Sequence, residues 1–224
     1  MVWGLFMIKK AYFEILDFLF PENCLSCNKK GVILCPTCIL ALRHTDRETQ
    51  NNITALYDYR DPIVKKAIWN LKYYNRSQIG QILGKLLYES FIEDFSDIRA
   101  FTSGATIYVI PIPISAHRKR KRGYNQAEKI AQGFCIMDTD GIFELKNNII
   151  IKKKNTIPQA KIKNRNQRLQ NIRGAFLMNK NIDIVGRTII VIDDVTTTGG
   201  TLKEAISILK KDGAKKVYGF AVAH

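Results

Sequence analysis

Thr188-Ile189-Ile190-Val191-Ile192-Asp193-Asp194-Val195-Thr196-Thr197-Thr198-Gly199-Gly200-Thr201-Leu202 reads as a strand, a turn and the start of a helix. Its first five residues are β-branched without interruption, the pattern of a strand buried on both faces of a parallel sheet. A helix is expected from about Leu202 to Lys211. A phosphate in the turn would meet unpaired backbone N–H groups at the positive end of the helix dipole. Threonine hydroxyls add donors, and the glycines have no Cβ to hold the backbone away. Asp193 and Asp194 repel phosphate, so their natural partners are the vicinal hydroxyls of a sugar and, through water, a divalent cation. As acids expected to be exposed at a strand end, they should add little to stability.

A Walker A loop would carry a lysine after its last glycine, and a dinucleotide fingerprint would read GxGxxG; neither occurs here. An ordinary strand-turn-helix with a capping threonine needs one such residue and not the whole array. The stretch resembles the phosphoribosyl pyrophosphate (PRPP) motif of type I phosphoribosyltransferases. That resemblance implies that Asp193 and Asp194 hold the ribose hydroxyls, and that Thr196, Thr197, Thr198, Gly199, Gly200 and Thr201 cradle the 5′-phosphate, with Mg2+ accompanying PRPP.

Cys24-Leu25-Ser26-Cys27 and Cys35-Pro36-Thr37-Cys38 form a second motif, CxxC, seven residues, CxxC. Four thiolates at this spacing suit one tetrahedral Zn2+, with Gly31 serving the intervening turn. With every ligand supplied by the protein, no position remains for an activated water, so this zinc is expected to be structural. Disulfides are the rival reading, but nothing in the chain supports secretion. Cys135, inside Gly133-Phe134-Cys135-Ile136-Met137, reads as a small buried hydrophobe.

At 224 residues the chain can build one main core and a small appendage, and a hydrophobic content of 46% suits a globular protein. Its net charge of +15 is concentrated in two places. Arg118, Lys119, Arg120, Lys121 and Arg122 form one block. Lys152, Lys153, Lys154, Lys161, Lys163, Arg165, Arg168 and Arg173 fall in a stretch from Glu144 to Asp183 with no acid between its ends. Such concentration points to a polyanionic partner whose binding weakens with salt, the alternative being a solvated charged face.

In Met1 to Phe20 the charges follow the apolar run, and Lys9, Lys10, Glu14 and Asp17 interrupt the rest, so the segment reads as neither a signal peptide nor a membrane span. Trp3, Phe6, Phe13 and Phe18 suit a helix packed on the rest of the chain or one resting on a membrane surface. Further on, strands are expected at Ile53 to Tyr59, Thr106 to Ile110, Asn148 to Ile151, Gly174 to Met178 and Lys216 to Val222. Helices are expected at Pro62 to Lys72, Ile79 to Glu93 and Asn125 to Met137. Alternation of this kind predicts an α/β fold, a largely parallel sheet flanked by helices, with ligands at the carboxyl ends of the strands. Residues 1–45 are assigned to an N-terminal helix and zinc-binding module, and 46–224 to the α/β domain.

Three more segments extend the resemblance: Val109-Ile110-Pro111-Ile112-Pro113; Arg122-Gly123-Tyr124-Asn125-Gln126-Ala127-Glu128; and Thr156-Ile157-Pro158-Gln159 followed by Arg165 to Phe176. With the paired CxxC and the PRPP motif, the ordered set is similar to the ComF (ComFC) family. Membership implies a four-Cys zinc ribbon fused to a type I phosphoribosyltransferase-like domain, acting in natural transformation as a cytoplasmic handler of incoming single-stranded DNA. Partners would be single-stranded DNA, PRPP and other DNA-uptake proteins such as a competence helicase, with peripheral association at the inner face of the cytoplasmic membrane. By the same resemblance, the loop after Ile110 approaches pyrophosphate, and Lys154, Thr156 and Gln159 lie in a mobile loop closing over PRPP. Transfer would need no covalent nucleophile: Mg2+ and basic groups would stabilise departing pyrophosphate while an incoming nitrogen attacks the ribosyl carbon. No separate hood for selecting a nucleobase is expected. The DNA contacts are expected at Arg118, Lys119, Arg120, Lys121 and Arg122 and at Lys161, Lys163, Arg165 and Arg168, with Tyr124 stacking on a base. The alternative is an active phosphoribosyltransferase of nucleotide metabolism, whose basic strip serves only its polyphosphate substrate.

Overall fold

The computed structural model describes residues 22–45, 52–102, 105–153 and 174–224, with side chains in all of these but 92–102. Among the described residues, seven strands and six helices follow in chain order: α1 (Pro36–Leu40), β1 (Ile53–Tyr57), α2 (Pro62–Tyr73), α3 (Gln78–Thr102), β2 (Ile107–Pro111), α4 (Ala116–Arg122), α5 (Gln126–Ile136), β3 (Phe143–Leu145), β4 (Ile150–Lys152), β5 (Phe176–Met178), β6 (Thr188–Val195), α6 (Gly200–Lys211) and β7 (Lys216–Ala223). Five of the strands form a parallel sheet in the order β1-β7-β6-β2-β3. Central β6 pairs with both neighbours, Val191 lying opposite Ile110 on β2 and Gly219 on β7.

The unbroken apolar run of β6 is explained by what covers it. Ile190 and Ile192 belong to a buried cluster with Leu71, Leu83, Ile130 and Phe134 of α2, α3 and α5. Ile189 and Val191 belong to another with Leu202, Ala205 and Leu209 of α6. Alternate residues therefore bury on opposite faces, as a two-sided parallel strand requires. Close approach of α3 to α5 is made by glycines. A Cβ at Gly84 would stand 2.0 Å from the Ile130 carbonyl oxygen, and one at Gly133 2.2 Å from that of Gln81.

Several boundaries differ from the sequence reading. β6 runs three residues past Ile192, because its ladder to β7 continues through Asp193 and Val195. Asp193 and Asp194 are therefore strand residues, partly buried, and not exposed acids in a turn. The segments at 150–152 and 176–178 pair antiparallel with each other, outside the main sheet. β3 is too short to show a period, and the basic block forms its own helix, α4, instead of starting the next one. The predicted N-terminal helix lies outside the described residues. Among the described residues no helix is long and apolar enough to cross a membrane.

Residues 22–45 attach to the sheet domain through Leu25, Ile33, Leu34 and Leu42, which share a buried cluster with Val64 and Ile68 of α2. Lys66 Nζ donates to the Leu25 carbonyl at 2.5 Å, and the Arg43 N–H to Asp61 Oδ2 at 3.0 Å. Asp61 also caps α2, its Oδ1 accepting from the N–H groups of Ile63 and Val64, so one carboxylate ties the module to the helix it starts.

Candidate phosphosugar site and four-cysteine cluster

The carboxyl end of β6 presents Asp193 and Asp194 side by side, the Asp194 N–H donating to Asp193 Oδ1 at 2.9 Å. Lys72, in the last turn of α2, places Nζ 2.9 Å from Asp194 Oδ2. The two side chains are 21% and 13% exposed, dry enough for the pair to matter. Burial opposes the charge on Lys72, but Asp194, with Asp193 and Tyr59 behind it, raises the ammonium above its ordinary value. Burial and then the neighbouring Asp194 push the Asp193 carboxyl up to about 7, against the pull of Lys72 and Lys152.

Two more cations face the acids. Arg118 of α4 is lowered by burial and by repulsion from Arg122, while Tyr73 and Asp194 draw it the other way. Lys152 of β4 is lowered by burial and then by Arg118, with Asp193 opposing. Lys72 is thus paired with Asp194, and Arg118 and Lys152, from two other elements, lie within electrostatic reach of the acids. A diol at the acids with a diphosphate among the cations would satisfy both sets of charges.

Downstream, the Thr196 N–H is used by the Ala223 carbonyl at 2.9 Å, so this buried threonine anchors the turn instead of offering its amide to a ligand. Gly199 then caps α6 at φ 72°, a left-handed conformation that suits glycine, and no side chain caps the helix. An uncapped first turn is what an anion at a helix N-terminus uses. Thr197 and Thr198 complete the turn, while Gly200 and Thr201 already belong to the first turn of α6, which starts two residues before the expected Leu202.

Arg122-Gly123-Tyr124-Asn125-Gln126 joins neighbouring elements. Asn125 caps α5 and donates from Nδ2 to the Ile112 carbonyl at 3.0 Å, which fixes the loop after β2. Arg122 Nη1 donates to Gln126 Oε1 at 2.8 Å. Tyr124 corrects an expectation: it is 8% exposed and its hydroxyl donates to the Leu71 carbonyl at 2.6 Å, so it holds α2 in place and has no free face for a base. Lys119, Arg120 and Lys121 do stand exposed, Lys119 with Nζ 3.6 Å from Glu128 Oε2. Lys154, Thr156, Gln159, Lys161, Lys163, Arg165 and Arg168 lie outside the described residues. Lys72 was missed by the sequence reading, because no local pattern separates it from any other lysine ending a helix.

The four cysteines meet. The sulfurs of Cys24, Cys27, Cys35 and Cys38 all lie within 4.8 Å of one another, and none is in a disulfide. Three are buried and Cys27 is exposed. Burial would raise the Cys24 thiol, but backbone N–H groups of Cys35, Cys27 and Ser26 bring it down to about 6, which favours a metal-binding thiolate. Four sulfurs closed off in this way fit a tetrahedral structural zinc. Cys135 is a separate thiol, raised to about 12 by burial and then by Asp138.

A family model described as the phosphoribosyl transferase domain matches residues 107–224, which contain β2, the acidic pair and the threonine turn. The chain belongs to that family. The chain also has curated relatives. Competence protein F of Haemophilus influenzae is 31% identical over 159 residues, 70% of this chain and 66% of that protein. DNA utilization protein YhgH of Escherichia coli K12 is 26% identical over 208 residues, 87% of this chain and 85% of that one. Competence protein ComFC of Bacillus subtilis is 29% identical over 170 residues, 75% of this chain but 62% of its own length. These relatives, the matched domain and the cysteine cluster together fit a ComF family protein. Among solved structures, the glutamine PRPP amidotransferase of B. subtilis aligns with a TM-score of 0.42 at 15% identity over 68% of this chain and 30% of that one. Hypoxanthine-guanine phosphoribosyl transferase of L. donovani aligns with a TM-score of 0.39 at 9% identity, over 65% and 67%.

Proposed function

We propose that this chain handles incoming single-stranded DNA in natural transformation on the cytoplasmic side, and that PRPP with Mg2+ is the small ligand of its phosphoribosyltransferase domain. One observation carries the reading: Lys72 pairs with Asp194, with Arg118 and Lys152 in electrostatic reach of the acids and a helix without a side-chain cap close by in sequence, while Arg120 and Lys121 face outward. The inward set suits a phosphosugar, and the outward set suits a polyanion tracked along its backbone. Relatives named as competence and DNA utilization proteins support the biological setting. The zinc ion stabilises the cysteine module and takes no part in chemistry. A nucleotide-metabolic transferase is the second reading, supported by the complete acid pair and threonine turn.

Calorimetry with PRPP and Mg2+, and fluorescence anisotropy with a labelled single strand at several salt concentrations, test both halves. Asp193→Ala with Asp194→Ala should abolish the PRPP signal and spare DNA. Lys119→Ala, Arg120→Ala and Lys121→Ala together should weaken DNA, flatten its salt dependence and spare PRPP. Arg118 is kept, because it faces the acids. PRPP affinity unchanged in the acid variant would refute the phosphosugar site. Absent or salt-independent DNA binding by the native chain would shift the assignment to the metabolic enzyme.

A further inference from the structure

One face of α2 is unexplained by the fold. Val64, Ala67, Ile68 and Leu71 bury the opposite face, whereas Trp69, Tyr73 and the following Tyr74 are 49%, 57% and 64% exposed. Large aromatics left in solvent usually mark a contact surface. Trp69 and Tyr73, one helical turn apart, have ring centroids 4.6 Å apart at an interplanar angle of 48°, forming a continuous aromatic shelf. The Arg122 guanidinium lies 5.4 Å from the centre of the Tyr73 ring. Lys72, between these aromatics in sequence, reaches Asp194. The shelf therefore adjoins Arg122 of the basic helix α4, and Lys72, in the same turn of α2 as Tyr73, pairs with Asp194.

We propose that Trp69 and Tyr73 are the base-stacking surface of the single-strand site, with Arg122 and the exposed Arg120 and Lys121 taking the phosphates beside it. The inference rests on the single-stranded DNA reading above and supplies the stacking element that buried Tyr124 does not. Aromatic faces stack any base, which gives binding without sequence preference, and flanking cations track the backbone. A duplex hides its base faces, so the shelf selects single strands. A lipid surface would also accept Trp and Tyr, but the Arg122 guanidinium lying at the ring favours alternating bases and phosphates.

The test uses the full chain with Trp3→Phe, which leaves Trp69 as the sole tryptophan. An oligothymidylate should quench Trp69 emission, and an abasic oligonucleotide of equal length should not. Trp69→Ala with Tyr73→Ala should weaken oligothymidylate binding at least about fivefold, the lower end of the stacking effect per base, without changing abasic affinity, salt slope or PRPP binding. Trp69→Phe with Tyr73→Phe should retain most of the affinity. Both side chains lie off the core, and an unchanged circular dichroism melt checks that the fold survives. Equal loss for oligothymidylate and abasic strands, no loss for either, or no quenching would overturn the shelf while leaving DNA binding itself in place. Loss confined to anionic phospholipid vesicles would overturn it too. A native chain that binds no single strand removes both this inference and the reading beneath it.

Discussion

Asp193→Asn is expected to stabilise the protein above neutral pH while removing the proposed phosphosugar binding. Asparagine has nearly the same shape and keeps an Oδ1 to accept the Asp194 N–H, now at 2.9 Å, but it cannot ionise. In the native chain the carboxyl lies at about 7 in place of its ordinary 3.8. A raised carboxyl means that the folded chain holds a proton the unfolded chain has already lost. Stability is therefore highest below the unfolded value, falls as pH rises from about 4 to about 7, and is flat beyond. A shift of roughly three units at about 1.4 kcal/mol each bounds the effect near 4 kcal/mol, and residual solvent contact at Asp193 reduces it to about 1–3 kcal/mol. Urea unfolding at pH 5, 6, 7 and 8 is the assay. The asparagine variant should gain on the native chain as pH rises and lose PRPP affinity at every pH. Stability curves that run parallel over this range would refute the argument that a buried, crowded charge is tolerated here for the sake of a ligand.

Lys72→Met should destabilise by about 1–3 kcal/mol, between the values for exposed and buried ion pairs, and by more at pH 8 than at pH 5, where Asp193 is protonated; urea midpoints at the two pH values decide it. Elemental analysis should find one zinc per chain. Chelation, or Cys24→Ser, should lower the melting temperature more than it lowers PRPP affinity, and a fully stable metal-free chain would count against the site. Gly84→Ala should cost about 1–3 kcal/mol or more, because its Cβ meets the Ile130 carbonyl, which cannot move aside as a side chain would; an unchanged melt would mean that α3 and α5 pack less closely than described.

What was legible beforehand is local. The β6-turn-α6 unit announces itself in consecutive residues, since strand burial, the paired acids and the threonine- and glycine-rich turn are all set within about fifteen positions of chain. The four cysteines are equally local, each CxxC placing two sulfurs by turn geometry alone. Short elements escaped: β3 has three residues, and α4 is hidden by a charge run that reads as solvated surface. Tyr124 misled because a polar-tipped aromatic beside basic residues resembles a stacking residue in sequence, while its actual hydrogen bond is to a distant carbonyl at Leu71.

By itself, then, the sequence determined the class of sheet, the strand-turn-helix unit with its acids and threonines, the four-cysteine cluster and the strongly basic character of the chain. Each of these follows from the spacing or chemistry of neighbouring residues. Only the tertiary structure decided which cations serve the acids and which face outward, which aromatic is spent on the core and which remain exposed. The reason is geometric. Lys72, Arg118 and Lys152 come from three elements, and Asp193 and Asp194 from a fourth, so their meeting depends on how α2, α4 and β4 pack against the carboxyl end of β6. Whether a helix turns Trp69 and Tyr73 outward depends likewise on the face claimed by Ile68 and Leu71, which only the completed core settles.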